Sequence, residues 1–357
     1  MNVARHGGNV VDTARKYGYR ISDILDFSAS LNDFITEFDR PLILDAGILG
    51  TYPGSDTGLR MNLEKYTGVS HTNILPGPGL SYFIYRLAEF FREKNALMVR
   101  PAFSEYSRAF ASHGINVSTC LVAGIRERIP EIMDGVFSLV CINRPDTPTG
   151  NLLDQTSLIE LADACRAGDA YLFIDEAFID FLPVDERNFS AQLAGGNNFV
   201  ILGRSLTKIF STPSLRIGYL IGSAEILGSI ADLMEPWTLG NHIIESFSSL
   251  DFSVVNKYSA MVKEEREFLT GEMSSLGFTL IGIPTANYAT FRAPPRLSVQ
   301  DMDQFLRQRG ILIRTLKDFP EFGEDFIRIA VKRREKNEIL ISAIKDYMQS
   351  KTHSIGE

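Results

Sequence analysis

Gly203-Arg204-Ser205-Leu206-Thr207-Lys208 closes an apolar run that starts at Phe199, and Pro213-Ser214-Leu215-Arg216-Ile217-Gly218-Tyr219 follows five residues on. The run predicts a strand over 199–203, with a polar cluster at its C-terminal end, where open α/β sheets gather function. Ser205 stands three residues before Lys208 and Arg216 eight after it. A lysine amine forms a Schiff base once it loses its proton, and burial or a nearby cation favours that loss. Ser and Arg together supply a hydroxyl and a fork of donors suited to a phosphate. Taken singly, Lys208 reads as a solvated surface lysine far more often than as a catalyst.

Three further strand ends stand out upstream. Tyr171-Leu172-Phe173-Ile174-Asp175-Glu176-Ala177-Phe178 delivers a carboxylate pair. Asp175 is either an N-cap for a following helix or an acid aimed into a pocket to hold a proton on a heterocycle; alone, the segment favours the cap. Asn143-Arg144-Pro145-Asp146-Thr147-Pro148-Thr149-Gly150 is an irregular loop that either presents a side chain to a ligand or simply joins strand to helix. Leu75-Pro76-Gly77-Pro78-Gly79-Leu80-Ser81-Tyr82 leads into an apolar helix, and a glycine turn at a helix start exposes N–H groups to a phosphate. That last signal is weak by itself.

Strands are also expected near 96–100, 117–122, 136–143, 171–175 and 216–221, with amphipathic helices near 79–93, 104–113, 155–167 and 224–235. Apolar strands alternating with helices predict an α/β fold with a mainly parallel sheet covered on both faces. One long helix is expected across 241–275. Strands near 277–282, 286–292, 310–314 and 325–331, with helices near 298–308 and 335–349, predict a smaller α+β C-terminal domain. The expected organisation is an N-terminal arm over 1–40 that packs with the small domain, a large domain over 41–250 and the small domain over 251–357.

Composition excludes other classes. Lys plus Arg number 36 and Asp plus Glu 44 in 357 residues, a net charge of −8, which argues against a nucleic-acid backbone as partner. The 45% hydrophobic and 22% charged fractions exclude wholesale disorder. Cys120, Cys141 and Cys165 form no C-x-x-C pair and read as buried free thiols in a reducing, cytoplasmic setting. No apolar signal core opens the chain, no run nears the ~20 residues of a membrane span, and no metal site is expected.

The order of these segments (glycine turn, Pro-Thr-Gly loop, Asp-Glu-Ala-Phe strand end, Ser-x-x-Lys, then Arg) resembles the fold-type I aminotransferase family, whose members bind pyridoxal 5′-phosphate (PLP). The likeness spans essentially the whole chain and implies a large domain built on a seven-stranded, mainly parallel sheet. By resemblance, Lys208 matches the lysine that holds PLP and Asp175 the acid paired with the ring nitrogen, where a protonated ring is the better electron sink. Ser205, Arg216 and the backbone at Gly79, Leu80 and Ser81 match the phosphate cradle. Phe103 matches the aromatic that stacks on the ring. Tyr52 matches a tyrosine that reaches the phosphate of a neighbouring subunit, which implies a homodimer. Two positions depart from the usual pattern at the ring oxygen. Thr147 stands for the common Asn, and Phe178 for a common Tyr.

His6-Gly7-Gly8-Asn9 and Leu25-Asp26-Phe27-Ser28-Ala29 look like the threonine-phosphate decarboxylases of cobalamin biosynthesis, relatives of histidinol-phosphate aminotransferase. That branch implies Arg328 for the substrate carboxylate, Arg314 for its phosphate, and His6, Gly7 and Ser28 around it. The implied substrate is a small phosphorylated amino acid, threonine or serine phosphate. The implied reaction is decarboxylation, with transamination of histidinol phosphate or a similar phosphorylated amine as the alternative. Ser30 replaces an Asn usual in this branch.

Overall fold

Strands that read as unbroken apolar runs need both faces covered, and the sheet built here supplies that cover. The computed structural model describes residues 9–40 and 46–353. The strands, in chain order, are β1 (Leu25–Asp26), β2 (Ile74–Gly77), β3 (Asn95–Arg100), β4 (Asn116–Leu121), β5 (Leu139–Asn143), β6 (Tyr171–Glu176), β7 (Val200–Ser205) and β8 (Gly218–Ile221). They continue with β9 (Thr279–Ile281), β10 (Tyr288–Arg292), β11 (Ile311–Leu312), β12 (Arg314–Thr315) and β13 (Phe326–Ala330).

The chain divides into two compact units. One comprises 35–147 and 152–259, the other takes up to residue 34, 148–151 and 260 onward. The first holds a seven-stranded sheet in the order β2-β8-β7-β6-β5-β3-β4. β4, β3, β5, β6 and β7 are mutually parallel, whereas β8 runs antiparallel to both β7 and β2. β2 lies at an edge, where Pro76 removes no needed ladder donor. The helices Leu80–Phe90 and Glu105–Ser112 cover one face, packing Phe83, Leu87, Tyr106 and Phe110 with Met98, Cys141 and Phe173 of the strands. Cys141 and Cys165 are buried free thiols, but Cys120 on edge strand β4 is only half-buried.

The second unit holds a four-stranded antiparallel sheet, β12-β13-β10-β9, and a short parallel pair, β1 with β11. Leu25 and Phe27 N–H groups bond to Gly310 and Leu312 carbonyls, so the segment after the first helix, Val10–Tyr17, is tied to 310–312. Among the described residues no helix is long and apolar enough to cross a membrane.

The helix expected across 241–275 is two helices, Asn241–Ser248 and Val254–Ser275. The break has a local cause. Asp251 accepts from Ser253 N at 2.8 Å, and Asn62 Nδ2 donates to the Phe247 and Leu250 carbonyls at 2.9 Å each. Phe252 turns inward to stack on Tyr66 at 4.4 Å between centroids. A continuous apolar stripe reads as one helix because side-chain hydrogen bonds to carbonyls leave no periodic trace. The helices Thr57–Thr67 and Val184–Gly196 were likewise not anticipated.

At the end of β6 the two adjacent acids part. Glu176 is fully buried between Arg144 Nη1 (3.2 Å) and Arg204, whose Nε and Nη2 donate at 3.0 and 2.9 Å. Arg144 Nε donates to the Leu153 carbonyl at 3.0 Å, and Nη2 pairs with Glu186. Removing one partner of such a buried cluster strands the others' charge. Glu176→Ala is expected to cost the apoprotein roughly 3–5 kcal/mol in urea unfolding, whereas Glu160→Ala, which opens the exposed pair with Arg126, changes the midpoint little.

Candidate active site

The strand parity that buries Glu176 presents Asp175 on the opposite face. Asn143 and Asp175 are register partners, as are Asp175 and Gly203, and Ser205 lies two residues beyond Gly203 on the same face. Asn143, Asp175, Gly203 and Ser205 therefore line the C-terminal ends of β5, β6 and β7 on one side. Lys208 follows in the short helix Leu206–Ile209, partly buried, with Nζ 5.6 Å from the Phe178 ring centroid. The capping reading of Asp175 does not hold. The next element, Ile179–Phe181, is a 3₁₀ turn that starts from Phe178 without a side-chain cap, and Asp175 Oδ1 instead accepts from Ala177 N at 3.0 Å.

Asp175 Oδ2 accepts from Tyr106 Oη at 2.7 Å. Burial pushes the Asp175 carboxyl up to about 6, and Glu176 adds to the rise, while the Tyr106 and Ala177 bonds and Lys208 oppose it. Tyr106 escaped the sequence reading. It sits three residues after Phe103 in an ordinary amphipathic helix, and nothing local marks it.

An anion seat adjoins this face. The helix Leu80–Phe90 begins at Gly79, whose φ of 86° suits glycine. A Cβ on Gly79 would stand 2.8 Å from Arg216 Nη2, so the guanidinium lies directly over that turn. Ser205 pairs with Gly218, and a Cβ on Gly218 would lie 3.0 Å from Leu80 N. Glycine at both positions lets the helix N-terminus, Ser205 and Arg216 converge, a combination of free N–H groups, hydroxyl and cation that favours phosphate. Leu80 is buried and Ser81 partly so. Phe103 packs partly buried against the cluster holding Tyr106 and Phe173. Thr147 is buried. Tyr52 stands apart, 78% exposed, its ring 4.6 Å from that of Trp237.

The second unit carries the remaining candidates. Arg314 and Arg328 are cross-strand partners in β12 and β13. Like charges directly opposite one another repel, and the pair is held in place by its surroundings. Arg328 Nη2 donates to the Ser28 carbonyl at 3.3 Å and its guanidinium lies 5.0 Å from the Tyr288 ring centroid. Arg314 Nη2 reaches Asp318 Oδ2 at 3.5 Å. Asp26 Oδ1 accepts from Ser28 N, Ser28 Oγ and Ala29 N, fixing the turn that offers that carbonyl. Burial brings Arg328 down to about 10, with Arg314 adding to the drop, and burial lowers Arg314 too. Both remain cations at neutral pH and both gain from an anion. His6 and Gly7 lie outside the described residues.

The sequence profile of the family described as aminotransferase class I and II matches residues 23–344. The chain belongs to that family. Membership bears out the expected fold and cofactor, since this is a PLP-dependent family. The chain is 29% identical to a threonine-phosphate decarboxylase of Salmonella typhimurium, with 96% of each chain covered. It is 26% identical to a histidinol-phosphate aminotransferase of Methanosarcina mazei, covering 95% of this chain and 92% of that one. The solved histidinol-phosphate aminotransferase of Sinorhizobium meliloti in complex with pyridoxal 5′-phosphate superposes with a TM-score of 0.79 at 16% identity over 97% and 96% of the two chains.

The residues present suit PLP. The Gly79 turn is a cradle that a Cβ would fill. Asp175 is a buried acid, and Asn143 Nδ2, on its register partner, is a buried donor with no hydrogen-bond partner.

Because its folded pKa of about 6 exceeds the ordinary carboxyl value of 3.8, Asp175 contributes stability that is fully present below about 3.8 and lost as pH rises through about 6. The loss is on the order of 3 kcal/mol. Asp175→Asn is therefore expected to stabilise the apoprotein relative to wild type at pH 8, with the gain gone by pH 4, in paired thermal melts across that range.

Proposed function

We propose that the chain decarboxylates an O-phosphorylated hydroxy-amino acid. The substrate is L-threonine O-3-phosphate, giving (R)-1-aminopropan-2-ol O-2-phosphate, or L-serine O-phosphate, giving ethanolamine phosphate, for the linker of the cobamide nucleotide loop. The cross-strand Arg314/Arg328 pair carries this reading. Two guanidinium groups at one register position call for two anionic groups on one small molecule, and a phosphorylated amino acid has both. The relative in Salmonella typhimurium, named threonine-phosphate decarboxylase, supports it.

Each residue then has a task. The Leu80–Phe90 helix N-terminus at Gly79, Leu80 and Ser81, with Ser205 and Arg216, would hold the cofactor phosphate. Phe103 would stack on the ring, Asp175 would keep its nitrogen protonated, and Thr147 would donate to the ring oxygen on the Phe178 side. Bound through Lys208, PLP supplies an electron sink for the bond that breaks at the substrate Cα. Arg328 would grip the carboxylate through two parallel bonds and Arg314 the phosphate, with Ser28 beside them. The hold of Arg314 and Arg328 would decide which Cα bond is poised to break. With the carboxylate poised, carbon dioxide would leave and a proton would be returned to Cα. With Cα–H poised, Lys208 would move the proton, as transamination requires. Tyr52, exposed with its ring tilted against that of Trp237, would serve the cofactor phosphate of a second copy in a homodimer.

The likeness to histidinol-phosphate aminotransferases favours a second reading, transamination of a phosphorylated amine. Phosphothreonine, phosphoserine and histidinol phosphate, each incubated with and without 2-oxoglutarate, separate the two. Carbon dioxide release from a phosphoamino acid without any 2-oxo acid is expected. Turnover of histidinol phosphate alone, strictly requiring 2-oxoglutarate, assigns the second reading instead. Lys208→Ala is expected to abolish turnover, and Arg328→Lys to lower kcat/KM about ten- to hundredfold through loss of the paired hydrogen bonds.

A further inference from the structure

Tyr106 has no task in the reaction described above, yet it makes the shortest side-chain bond to the acid of the site, 2.7 Å from Oη to Asp175 Oδ2. It is 2% exposed. Its ring is wedged edge-on against Phe110 at 5.9 Å and beside Phe173 at 6.2 Å, which leaves the hydroxyl little freedom to turn away. The other groups that act on the carboxylate are the Ala177 N–H on Oδ1, Lys208 from the short helix, the Cys141 thiol from β5 and, from the opposite face of the strand, Glu176. Burial holds the Cys141 thiol well above its usual range, so it stays neutral. Tyr106 is thus a neutral side-chain donor with its bond to Asp175 already made.

We propose that Tyr106 is a positioning residue for the cofactor, donating to Asp175 so that the proton shared between this carboxylate and the ring nitrogen stays on the ring. The inference rests on the PLP reading above. A proton between two bases resides on the stronger one, and each hydrogen bond that a carboxylate accepts weakens it as a base. With Tyr106 in place, the pair is a pyridinium facing a carboxylate. Without it, the proton moves to Asp175 and the pair becomes a neutral pyridine facing a carboxylic acid, with no atom gained or lost. Burial holds the phenol of Tyr106 well above its usual range, so it donates a hydrogen bond without surrendering its proton.

The test compares PLP with its 1-deaza analogue, in which carbon replaces the ring nitrogen, binding to full-length apoprotein. Tyr106→Phe is expected to weaken PLP about tenfold, the worth of one hydrogen bond to a charged group, and to leave the analogue within about twofold. Both ligands meet the same variant, so a general folding defect cancels in the ratio. In the Asp175→Asn background, Tyr106→Phe is expected to have no further effect on PLP. In apoprotein melts, the stability lost as pH rises through about 6 is expected to extend to higher pH in Tyr106→Phe, because Asp175 has lost a bond that favours its charged form. Equal weakening of PLP and the analogue, or an additive loss in the double variant, overturns the proposal and leaves Tyr106 as packing. Wild-type protein that binds neither ligand overturns the PLP reading itself, a result distinct from either of these.

Discussion

Both oxygens of the Glu176 carboxylate meet buried guanidinium groups, Arg144 at 3.2 Å and Arg204 at 2.9 and 3.0 Å. Buried guanidinium groups and a buried carboxylate compensate one another's charge, with Glu186 adding a second anion at Arg144. Arg204 also donates to the Arg187 carbonyl and to Ser190 Oγ, and Arg187 donates to the Asp180 carbonyl. The cluster therefore joins the ends of β5, β6 and β7 to the helix Val184–Gly196 on one face of the sheet. Because strand side chains alternate, locking Glu176 and Arg204 on that face commits Asp175 and Ser205 to the other. A one-residue slip would exchange the faces taken by Asp175 and Glu176.

The opposite face is organised by absence of side chains. Gly203 leaves room for Leu80 and Phe173, Gly218 for the backbone of Gly79 and Leu80, and Gly79 for Arg216. These close approaches bring a helix N-terminus against a strand end. Burial of Asp175 then sets its chemistry, since desolvation lifts its carboxyl and strengthens its attraction for any cation placed beside it. The second unit places two arginines, Arg314 and Arg328, opposite each other on neighbouring strands.

Much of this was legible beforehand because it depends on spacing along the chain. Ser205, Lys208 and Arg216 keep fixed offsets around one strand end, and Gly79 precedes an apolar helix. The strands of both sheets carry enough apolar and β-branched residues to be read directly. The break at 249–253 and the helix Val184–Gly196 were not legible. The former is made by Asn62 bonding to carbonyls about 185 residues away in the chain, and the latter buries two polar residues, Arg187 and Ser190, against Arg204 of the charge cluster, which breaks an apolar stripe.

The sequence by itself determined the fold class, the family and the spacing of Ser205, Lys208 and Arg216 around one strand end: these follow from periodicity and from short offsets that local backbone geometry preserves. Only the tertiary structure decided which of Asp175 and Glu176 faces the site, that Tyr106 bonds to that acid across 69 residues, and that Arg314 and Arg328 stand side by side. The reason is physical. Which face a strand residue takes, and which donor reaches it, depends on what the neighbouring elements bury, and burial is a property of the packed chain, not of any segment of it.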